Sequence, residues 1–229
     1  MLTAIGDVMR ECHRRGWIST RDGNISLHRK NSGSFYITPS GVRKTIIHPE
    51  SVVKLKWAPG KGTVELKEGS AKPSGELEMH ILLQRNAQEC RSVVHAHPTH
   101  AVAAMFAGFD LSKLASFFPE LSRYTRVGPV VPNCRAISKT LADLTYFGFT
   151  DQHGKLEGWS NSAVTLTEEY KLVEDVDWFM EPQFDIVGQI NHGVTAIGDN
   201  PWDAFEHIER LNHICEMVLL SGVRASDLQ

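Results

Sequence analysis

Apolar positions along this 229-residue chain change period several times, and each change marks an element boundary. Leu2 to Cys12 carries apolar residues at helical spacing and leads into Gly16, which predicts an amphipathic first helix. Asn24 to His28 and Ser34 to Thr38 alternate with a period of two around Asn31-Ser32-Gly33, the pattern of paired strands. A second pair, Ser51 to Trp57 and Thr63 to Leu66, flanks the turn Pro59-Gly60-Lys61-Gly62. Ser74 stands where an N-cap belongs for a helix through Glu76, Met79 and Leu83, ending near Asn86. A β-branched run, Ser92 to His97, precedes helical spacing over Thr99 to Ala107. Val127 to Val131 reads as a strand and Ser138 to Tyr146 as a helix. Phe184 to Ile197 reads as a hairpin broken by Gly188 and Gly193. The last helix is the best delimited: Asn200 caps it, Pro201 opens it, Phe205, Ile208, Leu211, Cys215 and Val218 form its stripe, and Gly222 ends it. Gly148 to Trp178 mixes Gly, Asn, Ser and acids and reads as a long surface excursion.

Helices at both ends with strands between them predict a layered α/β/α domain. With no repeat, low-complexity tract or linker, residues 1–229 are expected to form one domain. A formal net charge of -3 gives no nucleic-acid footprint. No apolar run approaches the ~20 residues that cross a bilayer. Met1 to Arg15 carries Asp7, Arg10, Glu11 and Arg14, which suits a surface helix and not the apolar stretch of a signal peptide. Cys12, Cys90, Cys134 and Cys215 are widely spaced without a CxxC pair, so free thiols and a cytoplasmic location are expected.

The chemistry concentrates in Val93-Val94-His95-Ala96-His97. Residues two apart on a strand face the same side, so His95 and His97 can chelate one ion. A catalytic zinc site takes three protein ligands and keeps one position open, which calls for a third donor. Asn191-His192-Gly193, late in the chain, supplies the candidate His192. Such pairs also arise by chance, and other metal families use them. A metallo-β-lactamase would need an acid at Thr99, a cupin would need one before Asp110, and an amidohydrolase barrel carries its pair on the first strand of a longer chain. Among the remaining histidines, His207 and His213 are six apart and share no helix face. His80 and His100 are candidates for support or packing, and His13, His28, His48 and His153 are expected in solvent.

Five segments in order complete the picture: Gly23-Asn24-Ile25-Ser26, Ile37-Thr38-Pro39-Ser40-Gly41, Ser74-Gly75-Glu76, His95-Ala96-His97 and Asn191-His192-Gly193. Together they resemble the class II aldolase/adducin family over most of the chain. The resemblance implies a three-layer α/β/α sandwich around a mostly antiparallel sheet, Zn2+ (or Mn2+ or Co2+) on three histidines, and a homotetramer. It implies that Glu76 transfers protons, and that Asn24, Ser40, Gly41, Ser74 and Gly75 bind the phosphate of a sugar-phosphate substrate. Read singly, Glu76 is also a helix-start acid favoured by the dipole, and the loops are ordinary turns. Two departures stand out: Gly75 replaces a serine, and Phe118 replaces the tyrosine that the aldolase branch uses as a proton donor. Glu120 then matches a working glutamate of the dehydratase branch and is the candidate second acid/base, with Tyr124 a lesser one; a plain surface acid is the other reading of Glu120. The expected activity is cleavage of a ketose 1-phosphate to dihydroxyacetone phosphate and an aldehyde. Dehydration, decarboxylation and 4-epimerisation remain open at the same site, as does a non-catalytic adducin-like scaffold.

Overall fold

Alternation within the strands decides which side chains meet which helices. In β1 (Asn24–His28), Ile25 and Leu27 face one way, and Asn24, Ser26 and His28 the other. The structure, a computed structural model, describes residues 1–60 and 62–228, so the predicted turn around Lys61 lies partly outside the described residues. β1 joins β2 (Ser34–Ile37), β3 (Val53–Trp57), β4 (Val64–Leu66), β5 (Arg91–Ala96), β6 (Ile186–Gln189) and β7 (Gly193–Gly198) in one sheet. Its order is β4-β3-β2-β1-β5-β7-β6, and each neighbouring pair is antiparallel.

One face is covered by α1 (Leu2–Arg14), α3 (Thr99–Phe106), α4 (Leu111–Ser116) and α7 (Pro201–Ser221). Ile5, Met9, Met105, Ile208 and Leu211 from these helices pack with Ile25, Leu27, Val94, Ala96 and Val194. The opposite face carries α2 (Leu77–Gln84) and α6 (Lys139–Phe149), whose Met79, Leu83, Leu144 and Phe147 enclose Val93 and Val187. Each such fully buried aliphatic contributes about 1.5–3 kcal/mol relative to exposure. The result is the expected α/β/α sandwich. Among the described residues, no helix is long and apolar enough to cross a membrane.

Several expectations are corrected. Val127–Val131 forms no continuous strand; it meets β6 through two parallel bridges, Val127 to Ile186 and Val131 to Gln189. Pro129 and Pro132 lack the N–H groups a ladder needs. α4 and α5 (Pro119–Tyr124) lay below the resolution of periodicity, although Asp110 signals α4 by accepting from Ser112 N and Lys113 N. α6 runs on to Phe149 because Phe147 and Phe149 are both fully buried. His28 is 3% exposed and not in solvent as expected, on the same face of β1 as Asn24 and Ser26.

The excursion after α6 is a strap laid on the sandwich. Leu156, Trp159, Tyr170, Val176 and Trp178 turn inward onto the α2–α6 cluster. Tyr146 stacks on Trp178 at 5.9 Å, and its hydroxyl lies 3.1 Å from the carbonyls of both Asp177 and Met180, which share its single proton. The Arg85 guanidinium lies over Tyr146 and Phe179, tying the strap to α2.

Candidate metal centre

Strand register brings the three histidines together. His95 pairs with Asn24 on one side and Thr195 on the other, at the end of the three central strands. His97 lies just past β5, its N–H held by the Trp17 carbonyl. His192 is in the turn between β6 and β7, not on a strand as the sequence suggested. Asn191 adopts φ 55°, a left-handed conformation that asparagine tolerates, and folds His192 back toward His97. At Gly193 a Cβ would lie 2.4 Å from the Ala96 carbonyl and 2.7 Å from the His97 ring, so only glycine allows this approach. The ring centroids stand 4.7–5.3 Å apart, and one ligand atom from each imidazole lies within 4.8 Å of the others.

The donor set fits a divalent ion. Burial holds the His95 imidazole well below its ordinary titration range and lowers that of His97, with His192 adding repulsion to both, which favours the neutral rings with lone pairs available. At His95 the tautomer follows from its neighbours. Thr195 Oγ1 donates to Gln189 Oε1 at 3.2 Å, so it accepts from His95 Nδ1, 3.1 Å away. That places the lone pair on Nε2, which faces His97 Nε2 at 3.0 Å. His192 Nδ1 is buried without a hydrogen-bond partner.

Glu76 completes the cluster. It caps α2, and its carboxylate sits between two of the imidazoles. Oε2 accepts from Asn24 Nδ2 at 2.8 Å and lies 3.5 Å from His95 Nε2. Oε1 is buried with no hydrogen-bond partner, 3.4 Å from His192 Nε2. Ser74 closes the turn before α2, its Oγ accepting from Glu76 N, instead of acting as the N-cap.

Glu76, His97 and His192 line a cleft of about 380 Å³ together with Asn24, Ser40, Gly41, Ser74 and Gly75. Two backbone hydrogen bonds, Ser40 N to the Lys72 carbonyl and Ser74 N to the Thr38 carbonyl, hold the two small-residue loops side by side. Two further residues here escaped the sequence reading. Lys44 is 2% exposed and lines the cleft, its ammonium donating to the Pro39 carbonyl at 3.0 Å. A lysine three positions after a Ser-Gly turn was the available signal. Ile137, at φ 61° despite its branched Cβ, leans over Gly75, where an added Cβ would meet its side chain at 3.2 Å. Gly75, with no Cβ, makes room for it.

Glu120 is exposed on α5 and lines another groove, with Tyr124, Arg210 and His213; neither Glu120 nor Tyr124 reaches the histidine cleft of its own chain. The larger groove of about 450 Å³ beside the start of α7 holds charged groups paired with one another, as in Arg126–Asp185 and Arg210–Glu206.

This combination of sheet order, histidine triad and capping glutamate coincides with a family-wide match: residues 3–219 fit the model of the class II aldolase and adducin N-terminal domain. The chain belongs to that family. Class II aldolases depend on divalent metals, and the triad here could hold one. A 5-deoxy-D-ribulose 1-phosphate aldolase of Bacillus thuringiensis is 29% identical over 163 residues, 67% of this chain and 73% of its own length. A methylthioribulose-1-phosphate dehydratase of Sorangium cellulosum is 27% identical over 225 residues, 94% of this chain and 90% of its own. The solved sugar-phosphate aldolase of Thermotoga maritima shares the fold, with a TM-score of 0.69 at 19% identity, over 97% of this chain and 96% of that one.

Proposed function

We propose that the chain is a metal-dependent aldolase that cleaves a ketose 1-phosphate to dihydroxyacetone phosphate and an aldehyde. The observation that carries this reading is Glu76 Oε1, a buried carboxylate oxygen left without a hydrogen-bond partner 3.4 Å from His192 Nε2 and beside the other two imidazoles. His95, His97 and His192 would hold the ion, of zinc type. When bound, it supplies Lewis-acid stabilisation of negative charge on a substrate carbonyl oxygen.

The remaining work falls to the protein. The Ser40-Gly41 and Ser74-Gly75 loops offer small side chains and backbone N–H groups to the phosphate, and the Lys44 ammonium adds charge from beneath. In the cleavage direction the C3–C4 bond breaks, the 4-hydroxyl gives up its proton as it becomes the aldehyde, and C3 gains a proton. Glu76 carries that last proton, and in synthesis removes it. The base at the 4-hydroxyl is a separate group. For Glu120 to serve there, a second copy must bring it to the cleft, which agrees with the homotetramer that the family resemblance implies.

Dehydration of the same class of substrate is the second reading, favoured by the dehydratase relative that spans nearly the whole chain. A coupled assay for dihydroxyacetone phosphate decides between them, using zinc- or manganese-loaded protein, a panel of ketulose 1-phosphates and His97→Ala as control. Triose phosphate released by the wild type alone is expected. Silence across the panel with metal bound would overturn the aldolase reading and leave dehydration to be tested by loss of water from the same panel.

A further inference from the structure

Behind Glu76, between β1 and α2, runs a line of buried polar side chains that starts at Asn24 in the cleft wall and leads away from the cleft. Asn24 and Ser26 project from β1; His80 and Gln84 face them from α2. Asn24 Oδ1 lies 2.5 Å from His80 Nε2, His80 Nδ1 lies 2.7 Å from Ser26 Oγ, and Ser26 Oγ accepts from Gln84 Nε2 at 2.8 Å. His80 and Ser26 are completely buried.

Donor and acceptor capacity sets the direction of every link. The Glu76 carboxylate only accepts, so Asn24 must turn its NH2 toward Oε2. That turns Asn24 Oδ1, an acceptor, toward His80, whose Nε2 must therefore carry the proton. A neutral imidazole protonated at Nε2 has its lone pair on Nδ1, so Ser26 donates to it. Each member from Gln84 onward thus donates toward Glu76. An aliphatic side chain at position 80 would fill the volume at less desolvation cost, but would leave Asn24 Oδ1 buried without a donor and the amide free to swing away from Oε2.

We propose that His80 is the positioning residue for the Glu76 carboxylate, acting through Asn24 to hold Oε2 and leave Oε1 aimed into the cleft. This rests on the reading of Glu76 as the proton carrier. The role requires the Nε2–H form of His80, and it makes Asn24 a support for Glu76 whose amide is already engaged at both ends.

The test has two arms. In 15N-histidine-labelled wild-type protein without metal, the His80 resonances should report Nε2 protonated and Nδ1 bare; the Nδ1–H form would overturn the proposal whatever the enzyme does. In metal-loaded protein, exchange of the C3 hydrogen of dihydroxyacetone phosphate with D2O reads the proton step directly. His80→Leu should lose roughly 10–100-fold in kcat with KM within about twofold and full metal content. His80→Gln, whose amide can donate to Asn24, should keep most of the rate. Wild-type rates in His80→Leu, equal losses in both variants, or a loss confined to KM or to metal content would each overturn it. Glu76→Gln separates the two readings. If it exchanges at the wild-type rate, Glu76 is not the proton carrier and both readings fall. If it is inactive while His80→Leu is fully active, only the positioning role falls.

Discussion

At the scale of single residues, the centre is built from side chains whose protonation is dictated by their neighbours. Thr195 shows this best. It has one hydroxyl proton, already given to Gln189, and can therefore only accept from His95. Thr195→Val keeps the shape and removes the acceptor, freeing the ring to adopt either tautomer. Zinc affinity should fall about 10–100-fold with little change in fold, as measured by competition with a chromophoric chelator; unchanged affinity would show that burial alone sets the His95 tautomer. His95, His97, His192 and Glu76 were legible in the sequence because motif order named them. Ile137 was not, since nothing local announces a branched residue at positive φ. Asn24 was legible as a site residue, yet its engagement with Glu76 and His80 comes from α2, 52 and 56 positions away.

Among elements, the β5–β7 pairing matters most for the site. Close contact of the two strands at Ala96 and Gly193 lets the His192 turn fold over the His97 ring. Gly193→Ala places a methyl group against the His97 imidazole and the Ala96 carbonyl, which the β5–β7 ladder holds in place. We expect loss of stoichiometric metal together with a stability loss of about 1–3 kcal/mol, read by metal analysis and urea denaturation. A variant that binds one ion per chain at wild-type stability would contradict this close-approach account. The same element scale explains the misjudged boundaries. Ser74 has the composition of an N-cap, but the turn it closes delays α2 until Leu77 and puts Glu76 at the cap, beside the histidines. Val127–Val131 has strand composition, yet its prolines permit only bridges.

For the whole molecule, burying neutral histidines makes folding depend on pH. His80 titrates at about 4 in the folded chain because burial disfavours its charged form, against about 6.5 when unfolded. Between those values the unfolded chain binds the extra proton, so stability present above pH 6.5 is lost as pH falls toward 4. For the metal-free protein this amounts to about 2 kcal/mol from His80 alone between pH 7 and pH 5. Urea midpoints should fall over that window, and fall less in His80→Gln; parallel curves for the two proteins would contradict the assignment.

The sequence by itself determined the layered fold and named the side chains that gather at the centre. Strand alternation, helix caps and five ordered motifs are local signals, each readable within a few residues. Only the tertiary structure decided that Asn24 and His80 stand behind Glu76, that Lys44 lines the cleft with the Ser40-Gly41 and Ser74-Gly75 loops, and that Glu120 does not reach the cleft of its own chain. The physical reason is that hydrogen-bond direction and cleft membership depend on which strands pair and which helix covers them. Those contacts join residues tens of positions apart, where local periodicity carries no information.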